Sequence, residues 1–80
     1  MGAFKCADGR EFNSLKDLAL SLDNMDDGVF MHHVNEERND FEPWIRETFD
    51  GELADTVKTI DTKMEMAYQI MKYLVQHMQN

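Results

Sequence analysis

Eighty residues suffice for one small domain, which buries only about 60 to 65% of the surface its unfolded chain exposes. A hydrophobic fraction of 42%, eight aromatic residues (five Phe, two Tyr, one Trp) and 30% charged residues supply one core and argue against a disordered chain. A net charge of −8, with no basic stripe to release counterions from a phosphate backbone, argues against nucleic acid as a ligand.

The charge is unevenly spread: from Asp23 to Asp55 there are eleven acids against two bases, Arg38 and Arg46, and no acid follows Glu65. Such a middle segment suits either plain solvated helix faces or a partner protein with a basic surface. No apolar run reaches transmembrane length, and Lys5 and Asp8 close behind Met1 leave no signal-peptide core, so the expectation is a cytoplasmic chain with no membrane contact. Cys6 stands alone. It can form no intramolecular disulfide or cysteine zinc cage and is expected to be a small, partly buried hydrophobe.

Along the chain, Ala3 to Ala7 alternates weakly, Asp8-Gly9 is a turn dipeptide, and Arg10 to Phe12 can return as a second strand. Ser14 and Asp17 have capping-box spacing and open a first helix with Leu15, Leu18, Ala19 and Leu22 on one face, ending near Asp23-Asn24. Asp26-Asp27-Gly28 starts a short second helix in which Phe30, His33 and Val34 share a face, while His32 points about 100° away from His33. After a polar break at Asn35 to Arg38, Asn39 or Asp40 caps a third helix bearing Phe41, Trp44, Ile45 and Phe49, with Pro43 tolerated in its first turn. Asp50-Gly51 is read as the end of that helix, followed by one or two turns from Glu52 to Lys58 with Leu53, Ala54 and Val57 inward.

The last helix runs from Thr59 or Asp61 to Gln79, with Thr62 and Glu65 again at capping-box spacing. Met64, Ala67, Tyr68, Met71, Leu74, Val75 and Met78 line one side, and Met66, Ile70 and Tyr73 line another. Ten of the fifteen residues from Met64 to Met78 are apolar, wider than the stripe of a helix lying on a monomer's surface. The helix is therefore either central or shared with a second chain. Its heptad-like spacing, Met64, Ala67, Met71, Leu74, Met78, spans only two heptads, too few to identify a coiled coil. The domain reading is a single mainly helical unit over 1–80: a hairpin at 1–12, a core of short helices at 13–58 and a long helix at 59–79, with four or five helices in a compact bundle.

The string Phe30-x-His32-His33-Val34, then Asn39-Asp40-Phe41-x-x-Trp44-Ile45, then an acidic-glycine break and Leu53-Ala54, resembles a family of small, mainly archaeal helical domains that is uncharacterised. An upstream turn glycine, Gly9, followed by the leucine-rich Leu15 to Leu22 helix, is also similar to that family. The resemblance covers residues 4 to 57 and leaves the last helix unexplained. It departs at His32, where an aromatic is expected, and at Pro43, which falls inside the Asn-Asp-Phe-x-x-Trp segment. What it implies is a fold, with no catalytic chemistry attached.

The histidines are the main chemical candidates. His32 and His33 are adjacent and diverge on a helix, whereas metal-gripping pairs need four-residue spacing. A metal or small-ligand sensor built on His32 and His33 would have to borrow His77, or carboxylates such as Asp40 or Glu37, from elsewhere in the fold. The plainer expectation is that His33 is partly buried and hydrogen-bonded to the Asn39-Asp40 turn, tying the second helix to the third. No serine elbow, phosphate-cradling glycine loop or activated cysteine occurs, so no enzyme activity and no cofactor are expected. Trp44 is expected in the core. The functional expectation is a non-catalytic protein-interaction or regulatory module, self-associating as a homodimer through the Met-rich helix, with Tyr68, Met71, Tyr73 and Met78 as contacts; the alternative is the histidine-based sensor.

Overall fold

The computed structural model describes residues 2–78. In chain order it has β1 (Phe4–Lys5), β2 (Glu11–Phe12), α1 (Leu15–Asp23), α2 (Asp27–His33), α3 (Phe41–Thr48), α4 (Gly51–Val57) and α5 (Lys63–Met78). The expected end of the last helix at Gln79 lies outside the described residues.

The strands pair antiparallel with Phe4 opposite Phe12 and Lys5 opposite Glu11. Five residues, Cys6 to Arg10, connect them; the Cys6 amide donates to the Arg10 carbonyl at 2.8 Å, closing a three-residue turn from Ala7 to Gly9, and the Gly9 amide donates to the Cys6 carbonyl at 3.0 Å. Gly9 has φ of 95°, the left-handed region that a three-residue hairpin loop requires and a side chain resists. The pairing puts Phe4 and Phe12 on one face, and both are buried. Cys6 is buried beside them, and burial pushes its thiol pKa up, which suppresses the reactive thiolate.

The capping box at α1 forms: the Asp17 amide donates to Ser14 Oγ at 3.0 Å, and the Asp17 carboxylate reaches back to the Asn13 amide at 3.2 Å. Leu15, Leu18, Ala19 and Leu22 are buried, as their spacing predicts. They face α5, whose Met66 and Ile70 are fully buried. Lys63 pins the start of α5 by donating to the Met25 carbonyl and pairing with Asp27 at 3.1 Å. The Thr62 hydroxyl caps the same helix by accepting from the Glu65 amide at 3.2 Å.

The boundary between α3 and α4 differs from the expectation. Phe49 ends α3, and Asp50 caps α4 by accepting from the Glu52 amide at 2.9 Å; Gly51 is the first residue of α4. An Asp followed by Gly reads equally well as a stop or as an N-cap, and here the side-chain bond decides. Arg46 clamps the two helices together, donating to Glu42 at 2.7 Å and to Asp55 at 2.6 Å. Both carboxylates, Asp55 first, hold its guanidinium pKa above the usual arginine value.

Two further corrections concern aromatic residues. Trp44 is only half-buried: its indole stands edge-on to Phe4 and Phe49, and its N–H donates to the Gly2 carbonyl at 3.2 Å. Phe49, expected on the inner stripe of α3, sits at the helix end and is exposed.

Candidate functional site

Two arrangements arise from the residues singled out in the sequence. The first is built around His33, at the end of α2. The Ala7 backbone N–H donates to His33 Nε2 at 2.9 Å. An amide can only donate, so Nε2 carries the lone pair and the ring proton sits on Nδ1, which donates to Asp40 Oδ2 at 2.9 Å. Arg38 Nε lies 3.4 Å from the same carboxylate oxygen. The imidazole is buried, 5.1 Å from the Phe4 ring and 5.5 Å from Phe41. It thus joins the hairpin, α2 and the start of α3.

The connection from α2 to α3 folds back on itself. Val34 and Asn39 form an antiparallel bridge, the Asn35 amide donates to the Arg38 carbonyl at 2.8 Å, and the Asp40 amide donates to the His33 carbonyl at 2.8 Å. Asn39 rather than Asp40 caps α3, its side-chain oxygen accepting from Phe41 and Glu42 at 3.1 and 3.2 Å. Its Nδ2 donates to the Val57 carbonyl at the end of α4, at 3.0 Å. His33, Asn39, Asp40 and Phe41 are therefore a structural knot, with Trp44 on its outer edge.

This geometry leaves His33 little to offer a ligand, since both ring nitrogens already have protein partners. His32 is exposed, its Nε2 3.4 Å from Arg38 and its ring edge-on to His33. His77 lies on α5, stacked on Tyr73 at 4.0 Å. Among the described residues, no group of three or more His, Cys, Asp or Glu side chains is placed to hold a metal ion.

The second arrangement is the outer face of α5. The narrower stripe, Met66 and Ile70, faces the core with Tyr73 partly buried beside it, and the broader stripe faces away. Met64, Tyr68, Met71, Val75 and Met78 are 65, 57, 43, 54 and 73% exposed, and Ala67 and Leu74 border them, partly buried. Tyr68, Met71 and Val75, with Lys72 and Gln76, line a shallow hollow in this face. Isolated exposed hydrophobes are ordinary, but five on one stripe mark an interaction surface or an aggregation hazard.

Of the four expected contact residues, Tyr68, Met71 and Met78 lie on this face and Tyr73 does not. Five residues at about 100° each leave Tyr73 roughly 140° around the helix from Tyr68, on the side where it stands against α4 beside Asp50. Burial, then the Asp50 carboxylate, raises the Tyr73 pKa; the Glu52 amide, then the Tyr73 hydroxyl, lowers that of Asp50. Because the folded Asp50 pKa is depressed, its contribution to stability is present above the ordinary carboxylate value near ~3.9 and is lost as pH falls through the lower folded value. The stability gap between the native chain and Asp50→Asn is therefore expected to shrink as pH drops below about 4. Urea midpoints collected across that range check this, and a gap independent of pH would remove Asp50 as a contributor.

Among the described residues, no helix is long and apolar enough to cross a membrane. No protein-family model, curated protein or solved structure matches the chain.

Proposed function

We propose that this chain is a non-catalytic protein-interaction module that self-associates through the outer face of α5, with residues 4 to 57 forming a scaffold of the uncharacterised, mainly archaeal type. One observation carries the reading: Met64, Tyr68, Met71, Val75 and Met78 form a continuous exposed apolar stripe, while the body beneath is already closed by Met66 and Ile70. Methionines suit such a face because their unbranched, polarisable side chains adapt to an opposing surface. The occupant is a second copy. In a chain of net charge −8 most of the surface repels another copy, and the stretch after Glu65 carries no acid.

Two heptads of helix contact fall below the roughly 1,200 Å² of stable interfaces, so the dimer is weak and its population depends on concentration. Sedimentation equilibrium from about 5 to about 500 µM, the range that brackets micromolar affinity, is expected to show a monomer–dimer equilibrium. Met71→Glu places a carboxylate mid-stripe and is expected to leave the chain monomeric, with its helical circular dichroism unchanged. A native chain that stays monomeric throughout removes the proposal.

A further inference from the structure

We infer that two copies pair their α5 helices antiparallel about a two-fold axis passing near Gln69-Ile70, held in register by reciprocal ion pairs between Glu65 and Lys72. This rests on the self-association proposed above and adds to it an orientation and a register.

The exposed apolar residues occupy positions 64, 68, 71, 75 and 78, alternating steps of four and three. That is the seam of a helix pair, with Tyr68 and Val75 in the first core position of the heptad and Met64, Met71 and Met78 in the second. In an antiparallel pair the two kinds of core position face each other across the seam. Tyr68 then packs on the partner's Met71, and Met64 on the partner's Val75, each contact occurring twice because a two-fold interface is self-complementary. The hollow lined by Tyr68, Met71 and Val75 receives an apolar side chain from the other helix.

The flanks decide the orientation. On one side of the seam lie Glu65 and Lys72, both exposed and one heptad apart; on the other lie Ala67 and Leu74, turned partly into the body. The remaining charged residues of α5 lie elsewhere: Lys63 is tied to Met25 and Asp27, and His77 is stacked on Tyr73. A two-fold perpendicular to the helices sets each flank against the same flank of the partner. Glu65 then meets Lys72 of the partner subunit, and Lys72 meets Glu65 of the partner subunit. A parallel pair sets opposite flanks together, facing Glu65 and Lys72 with Ala67 and Leu74, where neither charge finds a partner. Antiparallel pairing is the arrangement with charge complementarity.

The test is a charge exchange read by sedimentation equilibrium at about 20 mM salt, where the Debye length exceeds 20 Å and exposed pairs are least screened. Glu65→Lys and Lys72→Glu each turn two attractions into two repulsions and are expected to raise the dimer Kd roughly fivefold to tenfold. The double exchange is expected to return it to within about twofold of the native value. Circular dichroism confirms that each variant keeps its helices. A second measurement does not depend on these charges: mixed Met64→Cys and Val75→Cys chains, joined by a short bismaleimide, are expected to give 64-to-75 crosslinks. Native dimers indifferent to both single exchanges, or 64-to-64 crosslinks in place of 64-to-75, overturn the orientation and leave self-association standing. A native chain that never dimerises overturns both.

Discussion

Phe41→Ala is expected to lower stability by about 3–5 kcal/mol, the range for emptying a buried phenylalanine site. Phe41 opens α3 and is fully buried. Its ring lies 4.8 Å from Phe4, 5.5 Å from His33 and 6.3 Å from Phe30, so one side chain at the start of α3 ties that helix to the hairpin and to two positions of α2. The surroundings cannot collapse into the gap without moving all three. A domain of this size holds only about 4–12 kcal/mol in total, so the variant should lie close to its unfolding midpoint in water. Urea denaturation followed by circular dichroism measures the loss. Phe41→Leu, which keeps most of the volume, is expected to lose roughly 1–2 kcal/mol. Tyr68→Ala, on the exposed face of α5, should stay within about 0.5 kcal/mol. A Phe41→Ala loss below about 1 kcal/mol would show that the aromatic cluster does not behave as one packed unit.

His33→Ala is the second large effect, expected at about 2–4 kcal/mol. It removes a buried ring from the Phe4–Phe41 contact and strips both the Ala7 amide and the Asp40 carboxylate of their partner. Asp40→Ala should lose less, about 1 kcal/mol, because that carboxylate is partly solvated and also faces Arg38. The double variant is expected to lose less than the sum by about 0.5–1.5 kcal/mol, the coupling of one hydrogen-bonded pair. Strict additivity would mean that the 2.9 Å contact contributes nothing. His33→Gln separates packing from bonding: its amide can donate to Asp40, but its shape does not fill the aromatic site.

The parts legible from sequence were those written in local periodicity. The faces of α1, α2 and α4 follow from three- and four-residue spacing, and the start of α1 from its capping-box pair; α5, expected from Thr59 or Asp61, begins only at Lys63, just after the Thr62 that caps it. The His33–Asp40 contact was accessible because a histidine on an inward face needs a partner and the nearest polar turn lies a few residues on. What stayed hidden depends on distant chain. That Ala7 supplies the other partner of His33 is set by the hairpin folding onto α2. Asp50-Gly51 carries signals for both an end and a beginning, and only the position of α4 chooses between them. On α5 the periodicity separated two apolar stripes, but the shorter one meets α1. A wide stripe suggests the core by count, whereas Met66 and Ile70 reach it by position, leaving the more numerous residues outside. Tyr73 shares the stripe of Met66 and Ile70, the one that turns inward, so it is not a contact on the outer face, and its place beside Asp50 is set by the position of α4.

Asn39 has a consequence for what the chain can tolerate. Its carboxamide oxygen accepts from two amides at the head of one helix while its nitrogen donates a hydrogen bond to the tail of another. Aspartate would present a second oxygen to the Val57 carbonyl, serine is too short to span both ends, and glutamine is one methylene too long for the turn. The position is chemically single-valued, a rivet between two helices whose two heads are of opposite polarity.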